Sequence, residues 1–70
     1  MKALLITQCA DAMMWYADKV GRTVPFLREF PDCFMSREPA GFSNIVKKYD
    51  ATIIDVADNH EMYRVFDKAA

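Results

Sequence analysis

Short apolar runs separated by turn-forming residues dominate most of the chain. The runs cover residues 3–8, 23–30, 33–36, 42–46 and 51–57. Their lengths and their branched residues favour strands over helices, and polar or Pro/Gly-containing turns separate most of them. Pro25 restricts its strand to a sheet edge or a bulge, because proline has no backbone N–H to donate. Four to five short strands at this spacing predict a small closed β-barrel over about residues 2–57.

Residues 11–21 are compatible with two structures. Asp11 is a good cap for a helix that ends at Gly21. The alternative is a long irregular loop with one helical turn at residues 15–19, because Trp, Tyr and Val are mediocre helix formers and the segment has no clean apolar stripe. The sequence leaves both structures open.

Residues 59–68 predict a C-terminal α-helix. Asp58 and Glu61 have the spacing of a capping box. Apolar residues then recur at helical intervals, at Met62, Val65, Phe66 and Ala69. A helix this short is marginal alone, so we expect its apolar stripe to close one end of the barrel. The expected fold class is mainly β with this one helix, in a single domain of residues 1–70.

Composition limits the classes of function. The chain has 70 residues and a net charge of −1. It therefore lacks the excess of basic residues that is typical of nucleic-acid binders. A hydrophobic fraction of 53% excludes intrinsic disorder. A chain this small buries only about 60% of its surface, so its stability is thin and dimerisation would help.

The sequence shows no recognisable catalytic, cofactor or metal motif. His60 lies among acidic residues where a helix start is expected, and the two glycines are too isolated to form a phosphate-binding loop. Cys9 and Cys33 form no Cys-x-x-Cys motif, so we expect unpaired thiols in a reducing cytosol. The apolar run at residues 3–6 is too short for a signal peptide or a membrane span. We therefore expect a soluble, intracellular protein that is not an enzyme and does not engage a membrane.

The segment Gly41-Phe42-Ser43-Asn44-Ile45-Val46 resembles the Gly-aromatic…Ser-Asn-Tyr-Val stretch of SH3 domains. The order of strand, long loop, hairpin and last strand is similar as well. The resemblance implies an SH3-like small barrel. Ile45 stands in the place of the tyrosine and no proline precedes Ser43, although both residues help to form the polyproline-binding surface of SH3 domains. We therefore expect a folded protein surface as the partner.

A second resemblance concerns small uncharacterised proteins of bacteriophages and prophages. It rests on the Trp15–Tyr16 pair in residues 11–21, on the segment 20–24, on Gly41 and on residues 47–51. It covers residues 2–57. It implies a barrel and a phage origin, and hence the cytoplasm of a bacterial host, but no particular activity.

Four large side chains stand consecutively at residues 13–16, and a loop has no second face that could bury all of them. We expect Met14, Trp15 and Tyr16, together with Phe42, to bind a host or phage protein. One alternative is a nucleic-acid-associated accessory protein that uses the turn at Lys47 and Lys48. Another is a virion assembly component, which would self-associate.

Overall fold

The structure is a computed structural model and describes residues 1–59. These residues are mainly β. The strands are β1 (Lys2–Ile6), β2 (Thr23–Pro25), β3 (Arg28–Glu29), β4 (Cys33–Arg37), β5 (Ser43–Lys47) and β6 (Ala51–Asp55). Two short 3₁₀ turns cover Ala17–Lys19 and Lys48–Asp50. The helix predicted at residues 59–68 lies outside the described residues, apart from Asn59.

The strands form two antiparallel sheets. Sheet 1 has the order β2-β1-β6, and sheet 2 has the order β3-β4-β5. In sheet 1, Leu4 lies opposite both Val24 and Ile53. The central strand of each sheet, β1 or β4, alternates buried and more exposed residues along most of its length, which is the pattern of a sheet with one face in the core.

The run at residues 23–30 forms two strands that belong to different sheets. β2 ends at Pro25, which lies opposite Ala3 of β1. The Leu27 N–H then donates to the Met35 carbonyl at 3.0 Å, which brings the chain to sheet 2. Between the two sheets, the Ser36 hydroxyl donates to the Pro25 carbonyl at 2.6 Å. The proline therefore marks the point where the chain leaves one sheet for the other.

The predicted closed barrel is wrong, whereas the mainly β class is confirmed. The 3₁₀ turn at Lys48–Asp50 separates β5 from β6, and in residues 1–59 no ladder joins these two strands. A 3₁₀ turn satisfies backbone groups within itself, so it interrupts strand pairing at this position. The two sheets pack face to face and remain open on this side.

A small core fills the space between the sheets. Its buried members come from strands of both sheets and from the long loop after β1, and they are Leu4, Ile6, Tyr16, Val24, Phe34, Val46 and Ala51. Residues 11–21 form a loop with a single 3₁₀ turn, so the helical alternative is excluded. The Asp11 side chain accepts from the Met13 N–H at 2.9 Å and caps a tight turn instead of a helix.

Candidate functional site

Tyr16 is buried in the core and does not lie on the surface. Its hydroxyl donates to Asp50 Oδ2 at 2.5 Å and accepts from the Lys47 N–H at 3.2 Å. Burial, reinforced by the hydrogen bond to Asp50, raises the pKa of Tyr16 well above the usual tyrosine value. The expectation that Tyr16 contacts a partner is therefore corrected: its ring and hydroxyl are used inside the protein.

Asp50 joins three separate parts of the chain. Its side chain is buried and, besides Tyr16, receives the Gln8 amide Nε2 at 3.4 Å. Its backbone carbonyl accepts from the Thr7 N–H at 2.8 Å and from the Thr7 hydroxyl at 3.3 Å. The end of β1, the long loop and the second 3₁₀ turn are thus held at one point.

Trp15 covers the outer edge of β5. Its indole Nε1 donates to the Ile45 carbonyl at 2.8 Å, and its ring packs edge-on against Tyr16 with centroids 5.6 Å apart. Trp15 and Met14 are half-buried against the core. The next outward-facing backbone group of β5, the Lys47 N–H, donates to the Tyr16 hydroxyl. Trp15 and Tyr16 thus bind the backbone groups of β5 that a neighbouring strand would otherwise bind.

Sheet 2 has a solvent-facing side that the sequence analysis did not identify. Met35 and Ile45 lie directly opposite each other on this side, and Arg28 lies opposite Met35 on β3. The flanking pairs are Cys33 with Lys47 and Arg37 with Ser43. We call these seven residues the sheet 2 outer face. Ile45 is 38% exposed, and the strand alternation of β4 and β5 is the sequence signal that could have revealed the face.

The charges of the sheet 2 outer face are all positive. Arg28 and Lys47 flank the Met35–Ile45 pair, and the third cation, Arg37, donates to the Gly41 carbonyl at 3.4 Å. None of the seven residues is acidic. The face therefore combines an apolar centre with a cationic rim.

Lys47 and Lys48, the residues predicted to contact nucleic acid, belong to different elements. Lys47 belongs to β5 and lies on the sheet 2 outer face. Lys48 begins the 3₁₀ turn, where its Nζ lies 2.9 Å from the Glu29 carboxylate and 5.2 Å from the Phe34 ring centroid. The two lysines therefore have different surroundings, and a nucleic-acid contact through both stays a prediction.

Phe42 is 70% exposed in the turn between β4 and β5, where its carbonyl accepts from the Glu38 N–H. Met13 is 90% exposed, two residues before Trp15. The structure thus brings Trp15 to β5 through Ile45, keeps Phe42 near the start of the same strand, and removes Tyr16 from the surface.

The described residues include both cysteines that the sequence offers for reactive chemistry. Cys9 and Cys33 are both free thiols, as expected. Among residues 1–59, no three His, Cys, Asp or Glu side chains are placed to share a metal ion. His60 lies outside the described residues. In the same part of the chain no helix has the length and apolar character needed to cross a membrane.

Comparisons with protein-family models, with curated proteins and with solved structures find no match to this chain. The candidate site therefore rests on the geometry of the chain itself.

Proposed function

We propose that this chain is a small non-enzymatic binding domain with an SH3-like arrangement of strands. The support is the connectivity. β1, β2 and β6 form one sheet, β3 to β5 form the other, and a 3₁₀ turn precedes the last strand. A long loop follows β1, as in the SH3-like order of elements. A phage origin stays a prediction from the resemblance of residues 2–57.

The proposed contact surface is the sheet 2 outer face, extended by Trp15 at its edge and by Phe42 near one end. The observation that carries the proposal is the Met35–Ile45 pair. Two apolar side chains lie directly opposite each other on a solvent-facing sheet surface, and the side chain of Ile45 remains partly exposed. Partly exposed apolar residues that adjoin an aromatic side chain are typical of protein-binding surfaces.

Trp15 is suited to anchor this surface because it is already fixed. Its indole N–H is bound to the Ile45 carbonyl, and its ring is held against Tyr16. A rigid aromatic side chain loses little conformational entropy when a partner covers it. Met14 is half-buried and packs against the core, so it offers a partner less contact area than an exposed residue would.

The cationic rim indicates the chemistry of the partner. Arg28 and Lys47 lie on either side of the apolar pair, and neither side chain forms a hydrogen bond or ion pair with another described residue. Complementary charge speeds association and excludes wrong partners. We therefore propose a folded protein with an apolar contact flanked by Asp or Glu, supplied by the host or by a phage.

The test is capture from a bacterial lysate with the immobilised protein, followed by affinity measurements on the captured protein. Ile45→Glu places a carboxylate in the centre of the contact surface, whereas Tyr49→Glu is the matched control at a 68% exposed residue of the second 3₁₀ turn. We expect Ile45→Glu to abolish binding and Tyr49→Glu to preserve it. Full affinity of the Ile45→Glu variant, with its fold intact, would contradict the proposal.

A second candidate is nucleic-acid association, because three cations share a sheet face without a carboxylate among its paired residues. Binding to generic DNA would then weaken steeply with salt. Arg28→Ala should weaken that binding, whereas Lys2→Ala, on β1 of sheet 1, should not. Binding that is insensitive to salt would instead favour the protein partner.

A further inference from the structure

The two sheets have four edge strands, and the edge of β5 is covered by side chains. The Ile45 carbonyl accepts from Trp15, and the Ile45 N–H donates to Asn44 Oδ1 at 2.8 Å. The Lys47 N–H donates to the Tyr16 hydroxyl. An incoming strand would have to displace both aromatic side chains, so this edge is closed.

The edges of β2 and β3 are blocked in other ways. Pro25 has no N–H, and its carbonyl is taken by the Ser36 hydroxyl. β3 has only two residues, and the carboxylate of Glu29 is paired with Lys48. Short strands, prolines and charges are the usual means of preventing edge pairing.

The edge of β6 is five residues long and has no proline, and its one charged residue, Asp55, stands at the end of the strand. Its sequence is Ala-Thr-Ile-Ile-Asp, with no proline or lysine. Met1 and Val56 exchange backbone hydrogen bonds at 2.8 and 3.2 Å, which fixes the alternation along the ladder with β1. Ile53 and Asp55 consequently direct their N–H and C=O groups away from β1. Within residues 1–59 these groups have no hydrogen-bond partner.

We propose that β6 pairs antiparallel with β6 of a second copy of this chain, across a two-fold axis at Ile53. In this register Ile53 faces its own symmetry mate, Thr52 faces Ile54, and Ala51 faces Asp55. The outward N–H and C=O groups of each strand then meet their counterparts, and the two three-stranded sheets join into one.

The choice of a second copy follows from self-complementarity. Asp55 meets Ala51 of the other copy, so no like charges face each other, and each Asp55 keeps its ion pair with Lys2 at 3.1 Å. Ile53 and Ile54 are both half-exposed and gain cover from the pairing. Apolar pairs across strands are stabilising, and a domain with so small a core benefits from them.

The test is sedimentation of the full chain from micromolar to millimolar concentration. We expect a monomer–dimer equilibrium that Asp55→Pro abolishes, because proline removes an edge-facing N–H without touching the ladder to β1. Asp55→Ala is the matched control, since it removes the same carboxylate but keeps the N–H, and it should dimerise like the unmodified chain. A monomer at every concentration, or an Asp55→Pro variant that still dimerises, would overturn the proposal.

A second measurement covers the case in which the proline variant does not fold. A dimer made from one labelled and one unlabelled copy makes contacts between the copies measurable by NMR. In the proposed register, Thr52 of one copy and Ile54 of the other form a pair without mutual hydrogen bonds, so their α-carbons lie close together. We expect an intermolecular nuclear Overhauser effect between their α-protons. A dimer that lacks this contact uses another surface, and the proposal fails.

Discussion

The hydroxyl oxygen of Tyr16 lies 2.5 Å from the Asp50 carboxylate, although 34 positions separate the two residues in the chain. This contact fixes the long loop against the second 3₁₀ turn. It also explains why Trp15, the preceding residue, is directed along the edge of β5, where its indole binds the Ile45 carbonyl. The buried pair is therefore the structural support of the proposed contact surface.

The first prediction concerns the contribution of this hydrogen bond to stability. Tyr16→Phe keeps the ring in the core but leaves the buried Asp50 carboxylate without its shortest donor. We expect the free energy of unfolding to fall by about 1–3 kcal/mol, measured by urea denaturation. Tyr49→Phe, at an exposed tyrosine, is the control and should stay within about 0.5 kcal/mol of the unmodified protein.

The second prediction concerns alkaline pH. The pKa of Tyr16 is raised in the folded state, so above its ordinary value of 10.0 the unfolded chain loses the tyrosine proton while the folded chain keeps it. The folded state then binds more protons, and stability must fall as pH rises. We expect the stabilisation from Tyr16 to be complete below about pH 10 and to decline above it.

The measurement is the free energy of unfolding on either side of pH 10, compared between the unmodified protein and its Tyr16→Phe variant. The difference between the two should shrink as pH rises, because only the unmodified protein loses stability through this group. Tyr49→Phe should follow the unmodified protein throughout. Parallel pH profiles for all three proteins would show that Tyr16 is not protonated differently on folding.

The third prediction concerns the link between the two sheets. Ser36→Ala removes the buried hydroxyl that donates to the Pro25 carbonyl at 2.6 Å. We expect a loss of about 1–3 kcal/mol in unfolding free energy. Ser43→Ala, at an exposed serine of β5, serves as the control. Equal stability of the two variants would mean that the hydroxyl adds nothing to the packing of the sheets.

The fourth prediction concerns the edge of β5. Trp15 is the only tryptophan, so its indole N–H gives a single NMR signal, and its hydrogen bond to Ile45 should slow hydrogen exchange at that position. Trp15→Phe removes the donor and should lower stability by about 1 kcal/mol. Exchange of the indole proton at the rate of a free indole would show that Trp15 does not hold the edge.

The sequence by itself determined the strand segments, the turns between them and the mainly β class. These features depend on neighbouring residues: short apolar runs between turn-forming residues mark the strands, and Pro25 restricts its strand to an edge or a bulge. The sequence did not show that residues 23–30 divide between two sheets. The chain joins sheet 2 through a hydrogen bond to Met35, and that partner lies on another strand.

Only the tertiary structure decided which large side chains are buried. Trp15 and Tyr16 are adjacent and similar in character, yet Tyr16 is buried because two groups far along the chain bind its hydroxyl. The Asp50 carboxylate accepts from it, and the Lys47 N–H donates to it. Met35 and Ile45 form a surface pair because the β4–β5 register places them opposite each other. Local patterns report propensity, whereas burial and cross-strand neighbours depend on register and packing between distant segments, which local patterns alone do not set.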